Sequence, residues 1–145
     1  MKNELADTIE TIANTLTDQD ISIAMLIQLL GGFAEKHAGS GYYFTPRDDR
    51  FETVWVGITD DQAEERPTDI EITLNARSKL TIANLDRVLG PHRFVPFNPD
   101  GREHRVSYRF RRPNKQYTAA IYAVTDDEPE SDTRVKRVSI RRDSR

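Results

Sequence analysis

The chain has 145 residues, 37% hydrophobic and 31% charged, with no cysteine and a formal net charge of −3, which suits one compact domain or two very small ones. The longest apolar run, Ile23 to Leu30, is interrupted by Gln28 and falls far short of the roughly 20 residues that cross a bilayer, so no membrane partner is expected. Without Cys there is no disulfide framework, no thiolate nucleophile and no zinc ribbon.

Leu5, Ile9, Ile12, Ala13 and Leu16 recur at helical spacing, with Asp7 and Glu10 on the other side, which predicts an amphipathic helix over residues 3–16. The next segment, Ile21 to Gly31, can be laid over Leu80 to Gly90 without a gap, with five identities in eleven positions. Both predict short helices: Ser22 or Thr81 suits an N-cap, Gly31 or Gly90 a left-handed C-terminal cap, and Pro91 blocks continuation.

The correspondence resumes at a shift of 66, which places Tyr42 on Tyr108, Phe44 on Phe110, Phe51 on Tyr117, Thr59-Asp60-Asp61 on Thr125-Asp126-Asp127 and Ile72-Thr73-Leu74 on Val138-Ser139-Ile140. The helices match at a shift of 59, so the second copy carries extra residues within Pro91 to Glu103, where Pro96, Pro99, Asp100 and Gly101 mark a loop. Two blocks in one order read as an internal duplication. In the second copy Val106, Tyr108 and Phe110 alternate with Arg105, Ser107, Arg109 and Arg111, a half-buried strand. Pro113-Asn114-Lys115 makes a turn, and Tyr117 to Val124 is apolar on both faces, as befits the middle strand of three. The run from Arg134 to Arg142 alternates around Val138 and Ile140 and reads as an edge strand whose charges oppose aggregation. The first copy supplies strands at Tyr42 to Thr45, Phe51 to Ile58 and Ile70 to Leu74.

The pattern Thr81-x-x-x-Leu85-x-x-Val88-Leu89-Gly90-Pro91, followed by Tyr108-x-Phe110 and two further strands, resembles the SmpA/OmlA (BamE-like) outer-membrane assembly lipoprotein fold. Two such units in tandem are similar in plan to the secreted beta-lactamase inhibitor protein. The likeness covers residues 21–142, and the chain lacks both a lipid-bearing Cys and Cys pairs. It implies a non-enzymatic protein-binding module, an inhibitor or a toxin-immunity protein, in the cytoplasm. Met1 to Ile9 has no basic start followed by an apolar stretch, which agrees with that location.

Catalytic chemistry is poorly supplied, and neither an enzyme nor a cofactor is expected. His37, His92 and His104 are scattered, with no pair at the i, i+4 spacing of a helical metal site. The repeated Thr-Asp-Asp lacks the ligand spacing and terminal Glu of an EF-hand and reads as loop capping. No metal site is expected.

Period-two alternation assigns Tyr42, Phe44, Val54, Val56, Ile58, Ile72 and Leu74 to the helix-covered side in the first copy, and Val106, Tyr108, Phe110, Ala120, Tyr122, Val124, Val138 and Ile140 in the second. The opposite side then holds Tyr43, Phe51, Thr53 and Trp55, with Arg105, Ser107, Arg109, Arg111, Tyr117, Ala119, Ile121, Arg137 and Arg141. Rigid rings and guanidinium groups are what protein interfaces enrich. The candidate partner-binding residues are therefore Tyr43, Phe51, Trp55, Arg105, Arg109, Arg111, Tyr117, Ile121, Arg137 and Arg141. Two other uses of the same face stand beside this one. In one, Phe51, Trp55, Tyr117 and Ile121 pack repeats or subunits together, as in a homodimer or assembly subunit. In the other, the Arg columns meet nucleic-acid phosphates, which the net acidity of the chain disfavours.

The expected fold is α+β: an N-terminal helix (1–19), then two tandem units of one helix and a three-stranded antiparallel sheet (20–78 and 79–145), the sheets side by side or continuous, helices on one sheet face. Residues 1–100 carry 9 Lys and Arg against 17 Asp and Glu, and residues 101–145 carry 12 against 7. Corresponding outer positions hold Tyr43 against Arg109, Thr45 against Arg111, Glu71 against Arg137 and Asn75 against Arg141, so the two copies differ in charge on that face.

Overall fold

A computed structural model describes residues 4–18, 20–37, 41–61, 64–96, 103–113 and 115–144. Three helices, α1 (Glu4–Leu16), α2 (Ile23–Leu30) and α3 (Ile82–Leu89), accompany eight strands. These are β1 (Phe33–His37), β2 (Gly41–Thr45), β3 (Phe51–Asp61), β4 (Glu64–Leu74), β5 (Arg93–Phe94), β6 (His104–Phe110), β7 (Tyr117–Thr125) and β8 (Arg137–Ser144). Among the described residues the strands form one antiparallel sheet in the order β1-β2-β3-β4-β8-β7-β6-β5.

Two separate three-stranded units following a helix are therefore not what the chain builds. Each half contributes four strands, and the last strand of one half hydrogen-bonds to the last strand of the other, so a single ladder runs through the whole molecule. That seam runs from Asp69–Arg141 to Thr73–Arg137 and includes the core pair Ile72–Val138. It also corrects the edge assignment of the C-terminal strand, because β8 lies in the middle of the sheet between β4 and β7. Its alternating arginines project from one side of a paired strand and protect no edge. Of the expected segments, Asn3, Asn114 and residues 97–102 of the loop lie outside the described residues.

The helix caps follow their sequences. Ser22 Oγ accepts from Met25 N at 3.2 Å. Thr81 and Asn84 form a reciprocal capping box, and the loop after β7 satisfies two further N–H groups of α3, since Ile82 N and Ala83 N donate to Thr133 O and Ser131 O. At the other ends Gly31 and Gly90 have φ of 68° and 91° with ψ near 180°. The chain thus leaves each helix through an extended positive-φ conformation that glycine alone adopts readily, and not through a left-handed helical residue.

The first helix, which has no counterpart in the repeated units, closes the core. Leu5, Ala6, Ile9, Ile12, Ala13 and Leu16 are all fully buried, and α1 packs on α2, α3, β4 and β7, which places it across the seam. Two ion pairs near the β6–β7 turn hold it there, Arg112 to Glu10 at 3.0 Å and Lys115 to Asp18. Beneath the helices lie Phe44, Val54, Val56, Ile70, Ile72, Leu74, Val106, Tyr108, Phe110, Val138 and Ile140. Among the described residues no helix is long and apolar enough to cross a membrane.

Candidate functional site

All three helices pack on one side of the sheet, and the opposite side is the candidate site. Register determines which side chains it carries, because residues directly opposite in antiparallel strands share a face. One row across the sheet runs Tyr43, Trp55, Glu71, Ser139 and Tyr122, ending at Ser107 and Arg93. A second runs Gly41, Gly57, Asp69, Arg141, Ala120 and Arg109. A third runs Thr53, Thr73, Arg137, Val124 and Arg105.

Seven candidate residues are thus brought to this side or its margin. Tyr43, Trp55, Arg105, Arg109, Arg137 and Arg141 lie on it, and Arg111 is exposed just past the end of β6. Phe51, Tyr117 and Ile121 do not. Phe51 pairs with Leu74 across a register irregularity between Phe51 and Thr53, which breaks the alternation and turns the ring into the core, where it is 7% exposed. Ile121 is fully buried and pairs with Tyr108 and Ile140, both core residues. Tyr117 and Ala119 share its side, with the Arg142 guanidinium 4.3 Å from the Tyr117 ring centre.

The error in β7 has a specific origin. Trp55 opposes Glu71, whose counterpart Arg137 opposes Val124, so Trp55 corresponds in the ladder to Val124 and not to Ile121. An odd slip reverses every side chain of the strand. Ala120, Tyr122 and Val124, expected beneath the helices, therefore lie on the open side. In a strand apolar on both sides, no alternation exists to expose the slip.

On the open face the two large rings of the first half touch, Tyr43 and Trp55 having ring centres 4.6 Å apart and planes inclined by 56°. Trp55 reaches across Gly41, where an added Cβ would lie 2.8 Å from the indole ring and 2.1 Å from the Val56 carbonyl oxygen. A bare backbone is what lets the indole lie down against the sheet. Tyr43 is nevertheless 48% exposed, one of the few large apolar side chains left so open among the described residues.

Beside the rings, a cavity of about 400 Å³ is lined by Asp69, Glu71, Tyr122, Ser139 and Arg141, among other residues of β4, β7 and β8. The charges around it are largely paired. Arg137 pairs with Glu71 at 3.0 Å and with Glu103 at 3.1 Å, and Lys136 bridges Glu103 and Asp126. The Lys136 ammonium, hydrogen-bonded to Glu103, holds that carboxyl below the usual carboxylate range. Arg141 pairs with Asp143 at 3.0 Å, which raises its pKa further.

A polar cluster on the helix side is foreshadowed only by the comparison of the two copies. Asp86, at the position of Ile27, accepts from Tyr108 OH at 2.8 Å and bonds His92 Nδ1 at 2.8 Å. Burial, more than the Asp86 bond, pushes the Tyr108 phenol well above its ordinary value. Among the described residues no group of His, Asp and Glu is arranged to hold a metal ion.

No known protein family matches the chain, and no curated protein or solved structure is significantly similar to it.

Proposed function

We propose that the protein binds another protein stoichiometrically through the open sheet face. The observation that carries this reading is the Tyr43–Trp55 pair, rigid apolar rings laid on a solvent-facing sheet beside a polar cleft. Such rings lose little conformational entropy and much water on association, which is why aromatic residues dominate binding hot spots. Arg109 and Arg105 at the far end of the face supply directed donors for acidic groups, and Arg141 and Glu71 at the cleft supply a polar rim. An inhibitor or immunity role is the narrower form of this proposal, and it rests only on the sequence pattern of Thr81 to Pro91 with Tyr108-x-Phe110. The absence of cysteine agrees with action in a reducing compartment, and we place it in the cytoplasm.

Nucleic acid is the weaker reading, because Arg137 and Arg141 in the middle of the face are already engaged by carboxylates. The test is affinity enrichment from native lysate with the wild type, Trp55→Ala and Arg109→Glu. A partner retained by the wild type and lost by both variants is the expected result. Recovery unchanged in both would refute the proposal, and a dimer in ultracentrifugation that Trp55→Ala dissolves would reassign the face to self-association.

A further inference from the structure

The two halves of the sheet end differently. In the first half β1 pairs with β2 along all five residues, from Phe33–Thr45 to His37–Gly41. In the second half β5 pairs with only two of the seven residues of β6, Arg93 with Ser107 and Phe94 with Val106, extended by one bond from Val95 N to Arg105 O at 3.3 Å. The cause is visible in the sequence, since the register that sets Arg93 opposite Ser107 would set Pro91 opposite Arg109. Proline has no N–H to give to the ladder. His92, the residue before β5, is bonded to Asp86 of α3 and not to the edge strand.

Along an antiparallel edge, alternate residues point both backbone groups outward. The Arg105 carbonyl accepts from β5, so Arg109 presents its N–H and C=O to the same side. Among the described residues no strand pairs there with Tyr108 to Phe110. The margin is strongly basic: Arg93, Arg105, Arg109 and Arg111 are exposed and have no ion-pair partner among the described residues. Two copies meeting through this edge would set arginine against arginine, and like charges directly opposite destabilise a ladder.

We infer that the uncovered end of β6 is a docking edge for an acidic, extended segment of a partner protein, which adds to the sheet as a further strand beside Tyr108 to Phe110. Main-chain bonds to Arg109 hold the segment, and its carboxylates meet Arg105, Arg109 and Arg111. The edge does not use the Tyr43–Trp55 rings but shares Arg105 and Arg109 with the open face, so Trp55→Ala, and not Arg109→Glu, tells the two readings apart.

The probe is a fluorescein-labelled peptide of alternating Val and Glu, seven residues long, in anisotropy titrations against the full chain. Two versions N-methylated at alternate residues accompany it, because an added strand turns only one set of N–H groups toward the sheet. One N-methylated version should lose affinity by about tenfold or more while the other binds like the parent. Arg109→Glu and Arg111→Glu, each checked for an unchanged melting temperature, should both weaken the parent peptide, and Trp55→Ala should leave it unchanged. Equal binding of all three peptides would reduce the site to charge attraction and overturn the inference. So would absence of binding to the wild type, or equal binding of a Val and Lys peptide.

Discussion

Truncating Ile121 separates the two places this residue was capable of occupying, the partner face and the core. Ile121→Ala removes three carbons from a side chain that is fully buried between Tyr108 and Ile140. At about 0.8 kcal/mol per buried carbon the transfer loss is roughly 2.5 kcal/mol. Incomplete collapse of the resulting cavity brings the range for such truncations to about 2–5 kcal/mol. At about 2–4 °C per kcal/mol for a chain of this size, the melting temperature should fall by roughly 4–20 °C. The assay is thermal and urea unfolding followed by circular dichroism, with Trp55→Ala alongside as the surface comparison. Trp55→Ala should cost clearly less stability, because its ring lies on the open side. A fall of less than about 2 °C for Ile121→Ala, against the 2–4 °C expected per kcal/mol, would return Ile121 to the surface and refute the register argument.

Other substitutions test the remaining parts. Gly41→Ala, whose methyl group would meet the Val56 carbonyl and the indole, should displace Trp55, shift its emission and reduce partner capture. Gly90→Ala has no neighbour to strike but a φ of 91°, so it should cost about 1–3 kcal/mol through backbone strain alone, measurable by urea unfolding. Tyr108 has a raised pKa in the folded state, so the stability it contributes is complete below about pH 10, its ordinary value, and is lost as the pH rises above that. Urea midpoints at pH 8 and pH 11 should accordingly fall more for the wild type than for Tyr108→Phe, and parallel losses would contradict the burial of the Tyr108 phenol.

Much of the architecture was legible in single residues. Ser22, Thr81, Gly31 and Gly90 announced two capped helices, and the spacing of Leu5, Ile9, Ile12 and Leu16 announced a third whose apolar stripe needed a surface. How the halves join was not legible, because the Ile72–Val138 contact is a tertiary pairing with no local signature. Nor were β1 and β5. The first carries the charged sequence Phe-Ala-Glu-Lys-His, and the second is only two residues long.

For the site, alternation placed Tyr43, Trp55, Arg109 and Arg141 correctly because polar and apolar residues truly alternate there. It failed at Phe51, where a bulge intervenes, and at Tyr117 and Ile121, where both faces are apolar and the repeat alignment supplied the wrong phase. Asp69 and Ser139 were not singled out, and Tyr122 was assigned to the helix-covered side; the cleft they line exists only once β4, β8 and β7 are neighbours.

The chain contains a single tryptophan, Trp55, so its environment can be read without ambiguity. Protein labelled with 5-fluorotryptophan gives one fluorine resonance, to be recorded alone and with a captured, unlabelled partner. Burial of the open face predicts that this resonance shifts on complex formation and becomes insensitive to a soluble paramagnetic quencher. A complex that forms while the resonance and its exposure to quencher stay unchanged would contradict the assignment of the partner surface to this face.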